Sequence, residues 1–357
     1  MTTFWKGKKV FITGHTGFKG SWLSLWLSLL NAEVIGFALD PPTSPNLFTL
    51  AQIENMITSI KGDIRNLDLL KKALKTHQPD IIFHMAAQPL VRQAYLDPVE
   101  TYMTNVMGTV HLLEAARHTD HVKAIINVTT DKCYENKEWH WGYRENDRLG
   151  GYDPYSNSKA CSELVSSSYR NAFFNDLNIG LASARAGNVI GGGDWAEDRL
   201  IPDVMRACLK KQSITIRYPH ALRPWQHVLE PLSGYLKLAE YLYQTHKEYA
   251  ESWNFGPHDC DVKPVSFIVD TIIKLWHDET TWSIDQAKHP HEAQYLKLDC
   301  AKAKSRLGWE PHWNIEKGLQ ETVHWYQAYV RGEAMRAITL SQINHFIQTT
   351  EIKREPL

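Results

Sequence analysis

Tyr155 and Lys159 stand four residues apart, the spacing that sets two side chains on one helix face. An ammonium beside a phenol lowers the phenol's pKa. A phenolate can take a proton from a substrate hydroxyl while the carbon that bears it is oxidised. Ahead of this pair, Val128-Thr129-Thr130-Asp131-Lys132 ends a strand-like run and offers a hydroxyl, a carboxyl and an amine. Tyr155 follows Thr130 by 25 residues, and Pro154 opens its helix. A second Tyr-x-x-x-Lys, Tyr243 to Lys247, lies in a polar helical stretch with no strand-end threonine before it, and is set aside. The competing reading of Thr130-Asp131-Lys132 is a plain turn, in which aspartate binds backbone amides.

A third feature lies near the start. Gly14, Gly17 and Gly20 are spaced G-x-x-G-x-x-G after an apolar run (residues 8–13) and before the helical stretch SWLSLWLSLLN. Glycines between a strand and a helix let the backbone approach a pyrophosphate, which then rests on the helix amides. The turn also carries His15, Phe18 and Lys19, and its competing reading is a glycine-rich turn without a ligand. An acidic residue about 20 positions on is expected at the adenosine ribose. Asp40 is the candidate, and no arginine stands near it, which favours NAD over NADP. Asp63 and Ile64 are placed at the adenine edge, with a helix cap as the alternative for Asp63.

These residues need a scaffold that gathers strand ends. After residues 34–39, strand-like runs at 81–84, 124–129 and 179–185 alternate with helical stretches near 66–76, 98–118 and 155–174. That rhythm implies an α/β fold: a Rossmann-type doubly wound parallel sheet, covered on both faces. After about residue 186 Gly, Pro, Trp and Asp become frequent and the rhythm breaks. The expected division is an NAD-binding domain over 1–185, with segments near 225–258 returning to it. The remainder, 186–357, is mainly a smaller, mixed substrate-binding part.

Composition narrows the class. The 357 residues hold 39 lysines and arginines against 40 aspartates and glutamates, a net charge of −1. Nucleic-acid binders usually carry a basic surplus, so no nucleic-acid partner is expected. The five cysteines are scattered, as in a reduced intracellular protein. Histidines such as His289 and His291 lack ligand spacing, and no metal site is expected. The opening MTTFWKGKKVFITG does not read as a signal peptide. The run from Trp22 to Leu30 is far short of the ~20 residues of a membrane span. The expectation is a soluble cytoplasmic protein. Most of the 13 tryptophans, Trp22 and Trp26 among them, read as core. Trp195 and Trp225 fall in segments where a ring would pack on a ligand.

Together, the glycine turn, the strand-end threonine and the Tyr-Lys helix resemble the extended short-chain dehydrogenase/reductase family that acts on nucleotide sugars. His84-Met85-Ala86-Ala87, Asn105 to Thr109, Arg185-Ala186-Gly187-Asn188 and Asn254-Phe255-Gly256 fit the same family, up to about residue 330. The resemblance implies NAD held at Gly14, Gly17, Gly20, Asp63, Ala86, Tyr155 and Lys159, and His15, Phe18, Lys19, Asp40, Ile64, Ala87 and Asn105 are further cofactor-binding candidates. Family 4,6-dehydratases carry Thr-Asp-Glu where this chain has Thr130-Asp131-Lys132. With GHTGFKG and RPWQHV, that points to CDP-glucose as substrate and to a lyase supplying dideoxyhexoses of bacterial surface polysaccharide. Thr130 would bond O4, Asp131 donate to O6 and Lys132 take the C5 proton. A lysine acting as base must be neutral, which means pulling its pKa from about 10.4 towards 7. Asp131 and Lys132 must then titrate as a coupled pair.

The resemblance also implies a diphosphate subsite. Gln88, Arg185, Asn188, Trp195, Arg199, Arg217, Arg223 and Asn254 are its candidates, each arginine competing with an ordinary surface ion pair. His15 and Lys19 depart from the small residues relatives place in the glycine turn, and weak, exchangeable NAD is expected. Relatives pair through two long helices, here near 98–118 and 155–174, so a homodimer or homotetramer is expected. Alternatives are a nucleotide-sugar 4-epimerase, a dehydratase acting on UDP- or dTDP-glucose, and an NAD-sensing scaffold.

Overall fold

Val10 and Ile12 are buried against one side of their strand and Phe11 against the other, as strand alternation requires when both faces are covered. That strand, β1 (Lys9–Thr13), sits inside a seven-stranded parallel sheet with β2 (Glu33–Ala38), β3 (Thr58–Lys61), β4 (Ile81–His84), β5 (Ala124–Val128), β6 (Gly180–Arg185) and β7 (Ser252–Asn254). The spatial order is β7-β6-β5-β4-β1-β2-β3. The chain reverses its direction of winding between β1 and β4, and the crevice outside the carboxyl ends at such a point is where α/β sheets bind ligands. The computed structural model describes residues 2–277, 280–287 and 295–352. His289 and His291 lie outside the described residues.

Six helices matter for the site: α1 (Phe18–Leu29), α2 (Leu67–His77), α3 (Gly108–Ala116), α4 (Pro154–Tyr169), α5 (Leu200–Lys210) and α6 (Leu229–Thr245). Trp22 and Trp26 of α1 join Leu229, Leu232 and Leu236 of α6 in the core on one face of the sheet. Leu70 and Leu74 of α2 and Leu112 and Leu113 of α3 cover the other face, over Phe11, Ile35 and Ile82. The two long helical stretches are each interrupted by a π turn, at Met103–Met107 and Arg170–Phe174.

β3 was not expected. Of its residues Thr58, Ser59 and Lys61 are polar and exposed at the sheet edge and Ile60 alone is apolar, so they carry no apolar alternation to read. Beyond residue 186 the chain builds short ladders: Val189–Ile190 with Gln226–His227, Leu222–Pro224 with Val262–Pro264, and Ile214–Ile216 with Trp282–Ile284. These and α5 form an irregular wall facing the strand ends. Ser252–Asn254 returns to the main sheet beside β6.

Candidate active site

A crevice of about 1600 Å³ runs along the strand ends, from Asp40 and Asp63 past Gly14, Thr130 and Tyr155 to Arg217 and Val265. At its first turn Gly14 adopts φ +78°, and a Cβ there would lie 2.7 Å from the Ala86 amide nitrogen. Gly17, in extended conformation, begins α1, and a Cβ on Gly20 would overlap the Gly14 carbonyl. The turn thus brings bare backbone and the N-terminal amides of α1 to the crevice wall, a cradle that fits a dinucleotide pyrophosphate. Phe18, Ile64, Ala86 and Ala87 line the same stretch.

The two bulky residues of the turn part company. His15 is 1% exposed, bonds Ser59 Oγ through Nε2 at 2.8 Å and fills the space Gly36 leaves open. Its imidazole therefore points behind β2, and the expectation that it stands beside a pyrophosphate is corrected. Burial pulls it down to about 4, with the Phe37 backbone opposing. Lys19 does reach the crevice. Burial first, then Lys159 and Arg199, brings its ammonium down to about 7 against the pull of Asp131.

Asp40 lies two residues past β2, largely exposed and paired with Lys61 at the end of β3. Asp63 forms a turn with Arg65, accepting from its amide at 2.8 Å and from Nε at 2.9 Å. The following helix is capped by Asn66 instead. Asn105, 2% exposed, is not on the crevice wall: it bonds the Gln88 amide at 2.8 Å, the Gln88 carbonyl at 3.0 Å and Ser158 Oγ at 2.9 Å. Its expected cofactor contact is replaced by support of the strand-end loop, which its side chain ties through the Gln88 amide and carbonyl.

At the centre, Thr130 Oγ1 donates to Asp131 Oδ1 at 3.0 Å and accepts from the Lys132 amide at 3.3 Å. Asp131 is 1% exposed and its Oδ2 has no hydrogen-bond partner among the described residues. Burial pushes its carboxyl up, opposed by Lys132, the Thr130 hydroxyl and Arg223. Lys132 lines the crevice beside it. Burial pushes the Tyr155 phenol up to about 12, with the Thr130 hydroxyl and Arg199 pulling it back. The Lys159 ammonium, brought down to about 8 by burial against Glu163, donates to the Val128 carbonyl at 3.2 Å.

Glu163 continues the helix face of Tyr155 and Lys159 by one more turn and carries no signal of its own in the sequence. It accepts from Thr129 Oγ1 at 2.5 Å, Ser183 Oγ at 2.5 Å and Arg185 Nε and Nη2 at 3.0 and 2.9 Å. Burial alone would raise its carboxyl; Arg185 and the two hydroxyls overcome that and hold it at about 2. Arg185 is therefore a core residue, 2% exposed, also bonded to Tyr134 Oη and the Glu145 carbonyl. Its expected diphosphate role is corrected: at the end of β6 its side chain points to the face covered by α4. Asn254 is corrected likewise. It is fully buried, accepting from Tyr134 Oη at 2.7 Å and donating to the Tyr143 and Asp299 carbonyls.

The other substrate candidates line the crevice: Gln88, Asn188, Trp195, Arg199, Arg217 and Arg223. Arg199 pairs with Asp194 at 2.9 Å and Arg217 with Asp198 at 3.8 Å. Arg223, 4% exposed, donates to the Leu222 carbonyl and acts electrostatically on Asp131. Asn188 keeps a buried Oδ1 without a partner among the described residues. Trp195 is 6% exposed and packs edge-on against Tyr326 and Tyr329, so most of its ring belongs to the core. Trp225 is likewise nearly buried, its Nε1 donating to the Lys263 carbonyl. Asp203 and Arg206 of α5 also line the crevice. They stand i, i+3 on the helix and pair with each other.

Among the described residues no group of three or more His, Cys, Asp or Glu could hold a metal ion, and no helix is long and apolar enough to cross a membrane.

Residues 11–322 match the family model described as GDP-mannose 4,6 dehydratase. The chain is 55% identical to CDP-glucose 4,6-dehydratase of Salmonella typhimurium, over 97% of this chain and 98% of that protein. It is 26% identical to dTDP-glucose 4,6-dehydratase of Haemophilus influenzae, over 89% and 97% of the two chains. Among solved structures, dTDP-glucose 4,6-dehydratase from Bacillus anthracis in complex with NAD superposes with a TM-score of 0.75 at 26% identity, covering 92% of this chain and 100% of that one. The UDP-glucose 4-epimerase of Thermotoga maritima shares the fold at a TM-score of 0.78 and 21% identity, over 90% and 99% of the two chains.

Proposed function

The chain belongs to the GDP-mannose 4,6 dehydratase family, and on that premise we propose that it converts CDP-D-glucose to CDP-4-dehydro-6-deoxy-D-glucose and water. The observation that carries the reading is Asp131: a buried carboxyl, pushed towards its protonated form, bonded to Thr130 in the crevice that holds Tyr155. A 4-epimerase has no use for such an acid; the loss of the C6 hydroxyl requires one. NAD, when bound, would supply the hydride acceptor for C4 and the hydride donor for C6. Gly14, Gly17 and Gly20 with the α1 amides would hold its pyrophosphate, Phe18 and Lys19 the same stretch, and Asp40, Asp63 and Ile64 the adenosine end.

Tyr155 takes the O4 proton as C4 is oxidised, with Thr130 bonded to O4. The resulting ketone acidifies C5, and Lys132 withdraws the C5 proton. Asp131 gives its proton to O6, the C6–O6 bond breaks and water leaves. Lys132 returns its proton to C5 when hydride arrives at C6. Each turnover therefore leaves one proton on Tyr155 and takes one from Asp131. Thr130, which neighbours both groups, is the path by which the pair resets. Arg199, Arg217 and Arg223, with Asn188 and Gln88, face the diphosphate and sugar.

The five free cysteines suit a reducing cytoplasm. Exposed Leu96, Val99 and Met103, with Leu164 and Phe173 of the neighbouring helical stretch, suit pairing into a homodimer or a tetramer of such dimers. The product is the type of 4-keto-6-deoxy sugar that feeds dideoxyhexose synthesis for surface polysaccharide. Incubation with NAD and each of CDP-, UDP- and dTDP-glucose, with products identified by NMR, tests the reading. A 4-keto-6-deoxy sugar is expected chiefly from CDP-glucose. An epimerised hexose, or no product from any of the three, overturns it.

A further inference from the structure

We propose that Asp203 and Arg206, which face the crevice from α5, read the base of the nucleotide and select cytosine over uracil and thymine. The inference rests on the CDP-glucose reading above and assigns the part of it that the sequence left without a residue.

Position comes first. Along the wall made by α5, Arg199 is the residue that interacts electrostatically with the catalytic end, with both Tyr155 and Lys19. Asp203 instead interacts with Arg206, Asp198 and Arg217. Arg217 follows the strand Ile214–Ile216, and all three residues of that strand line the crevice. Asp203 and Arg206 thus share a stretch of crevice wall with Ile214–Ile216 and Arg217, while Arg199 acts on Tyr155 at the catalytic end. Four residues of helix separate Arg199 from Asp203, a rise of about 6 Å, comparable to one ribose between a diphosphate and its base.

Chemistry comes second. Along its pairing edge cytosine presents an amino donor at N4 beside an acceptor at N3, whereas uracil and thymine present an acceptor at O4 beside a donor at N3. A carboxylate only accepts and a guanidinium only donates. Asp203 and Arg206 are in direct contact, so the crevice offers an acceptor and a donor side by side. Cytosine satisfies both; uracil and thymine meet a like group at both, which is discrimination by repulsion as well as attraction.

Preparation comes third. Arg206 donates to the carbonyls of Trp195 at 2.9 Å and Ala196 at 3.2 Å, so its guanidinium is held before any ligand arrives. The pair is only partly covered, with side-chain exposures of 28% for Arg206 and 45% for Asp203. Burial pushes the Asp203 carboxyl up, opposed by Arg206, as expected where water is already partly excluded.

The test compares kcat/KM for CDP-glucose and UDP-glucose in the wild type, Asp203→Asn and Asp203→Leu. Competitive inhibition by CDP and by UDP is measured in parallel, as a binding readout that does not depend on turnover. The wild type should prefer the cytidine compounds. Both variants should reduce the CDP-to-UDP ratio by about tenfold or more, the scale of one good bidentate contact to a base edge. Asp203→Asn should also gain on UDP, since its amide can donate to O4. An unchanged ratio in both variants, or equal losses on both nucleotides, makes the pair an ordinary helix ion pair and overturns the proposal. A wild type without preference for CDP-glucose overturns the CDP-glucose reading as well, so the two failures are told apart.

Discussion

Gly187 has no functional group, yet its replacement by alanine should disable one step of the reaction. It lies two residues beyond β6, and a Cβ there would stand 3.0 Å from Asp131 Oδ1 and closer still to Cγ and Oδ2. Its φ is not among the positive values, so alanine costs no backbone strain and the effect is purely steric. Asp131 is buried and must move by about 1 Å, and a misplacement of that size costs roughly 10²-fold in rate. Complete loss of a general acid costs about 10²–10⁴-fold, or ~3–5 kcal/mol of barrier, so the variant should fall between these limits. Overpacking should lower stability by only about 1–3 kcal/mol. The assay is a single turnover with NAD and CDP-glucose, followed by the absorbance of reduced nicotinamide and by product. Gly187→Ala should still oxidise C4 and accumulate the reduced cofactor while failing to release water. Wild-type turnover, or loss of C4 oxidation together with elimination, would refute the placement of Asp131.

Asp131→Asn and Lys132→Met should each stop water loss while NAD binding, measured by calorimetry, stays intact; full turnover by both variants removes the assigned roles. Glu163→Gln should destabilise the fold by about 3–5 kcal/mol, because Arg185 is left buried and unpaired, and Glu163→Gln with Arg185→Met should recover most of the lost melting temperature. The pair also predicts acid sensitivity. Glu163 is depressed from 4.5 to about 2, so its stabilisation is present above pH 4.5 and is lost as pH falls through about 2; a variant that unfolds in acid with the wild-type profile contradicts this. Leu96→Asp with Val99→Asp, at positions 80% and 71% exposed, should shift the protein to monomers in light scattering without changing its circular dichroism. Because Lys19 stands in the glycine turn on the crevice wall, added NAD should raise the activity of purified enzyme, and an enzyme saturated as isolated would count against weak binding.

What could be read without coordinates followed from short-range rules. Alternating apolar runs and helical stretches specify a parallel sheet covered on both faces. A glycine turn between strand and helix specifies a phosphate cradle, and four-residue spacing places Tyr155 and Lys159 on one face. Those signals depend only on neighbours in the chain, and β1, β4, β5 and α4 lie close to where they point. The polar edge strand β3 escaped because its pairing, not its composition, makes it a strand, and its Lys61 holds Asp40.

Tertiary structure decided which side chains reach the crevice. At the end of a strand, one residue faces the ligand and the next faces a helix, and only packing says which. Arg185 shares a family motif with Ala186 and Asn188, which line the crevice, yet it is turned inward and fully engaged, as is Asn254. His15 and Lys19 belong to one turn and diverge because Gly36 leaves room for an imidazole behind the sheet. Glu163, Gly187, Asp203 and Arg206 became visible only when distant segments met: a buried carboxylate found its arginine on β6, and a glycine made space for Asp131. The chemistry was written locally. Its orientation was set by burial, which depends on contacts between residues far apart in the chain.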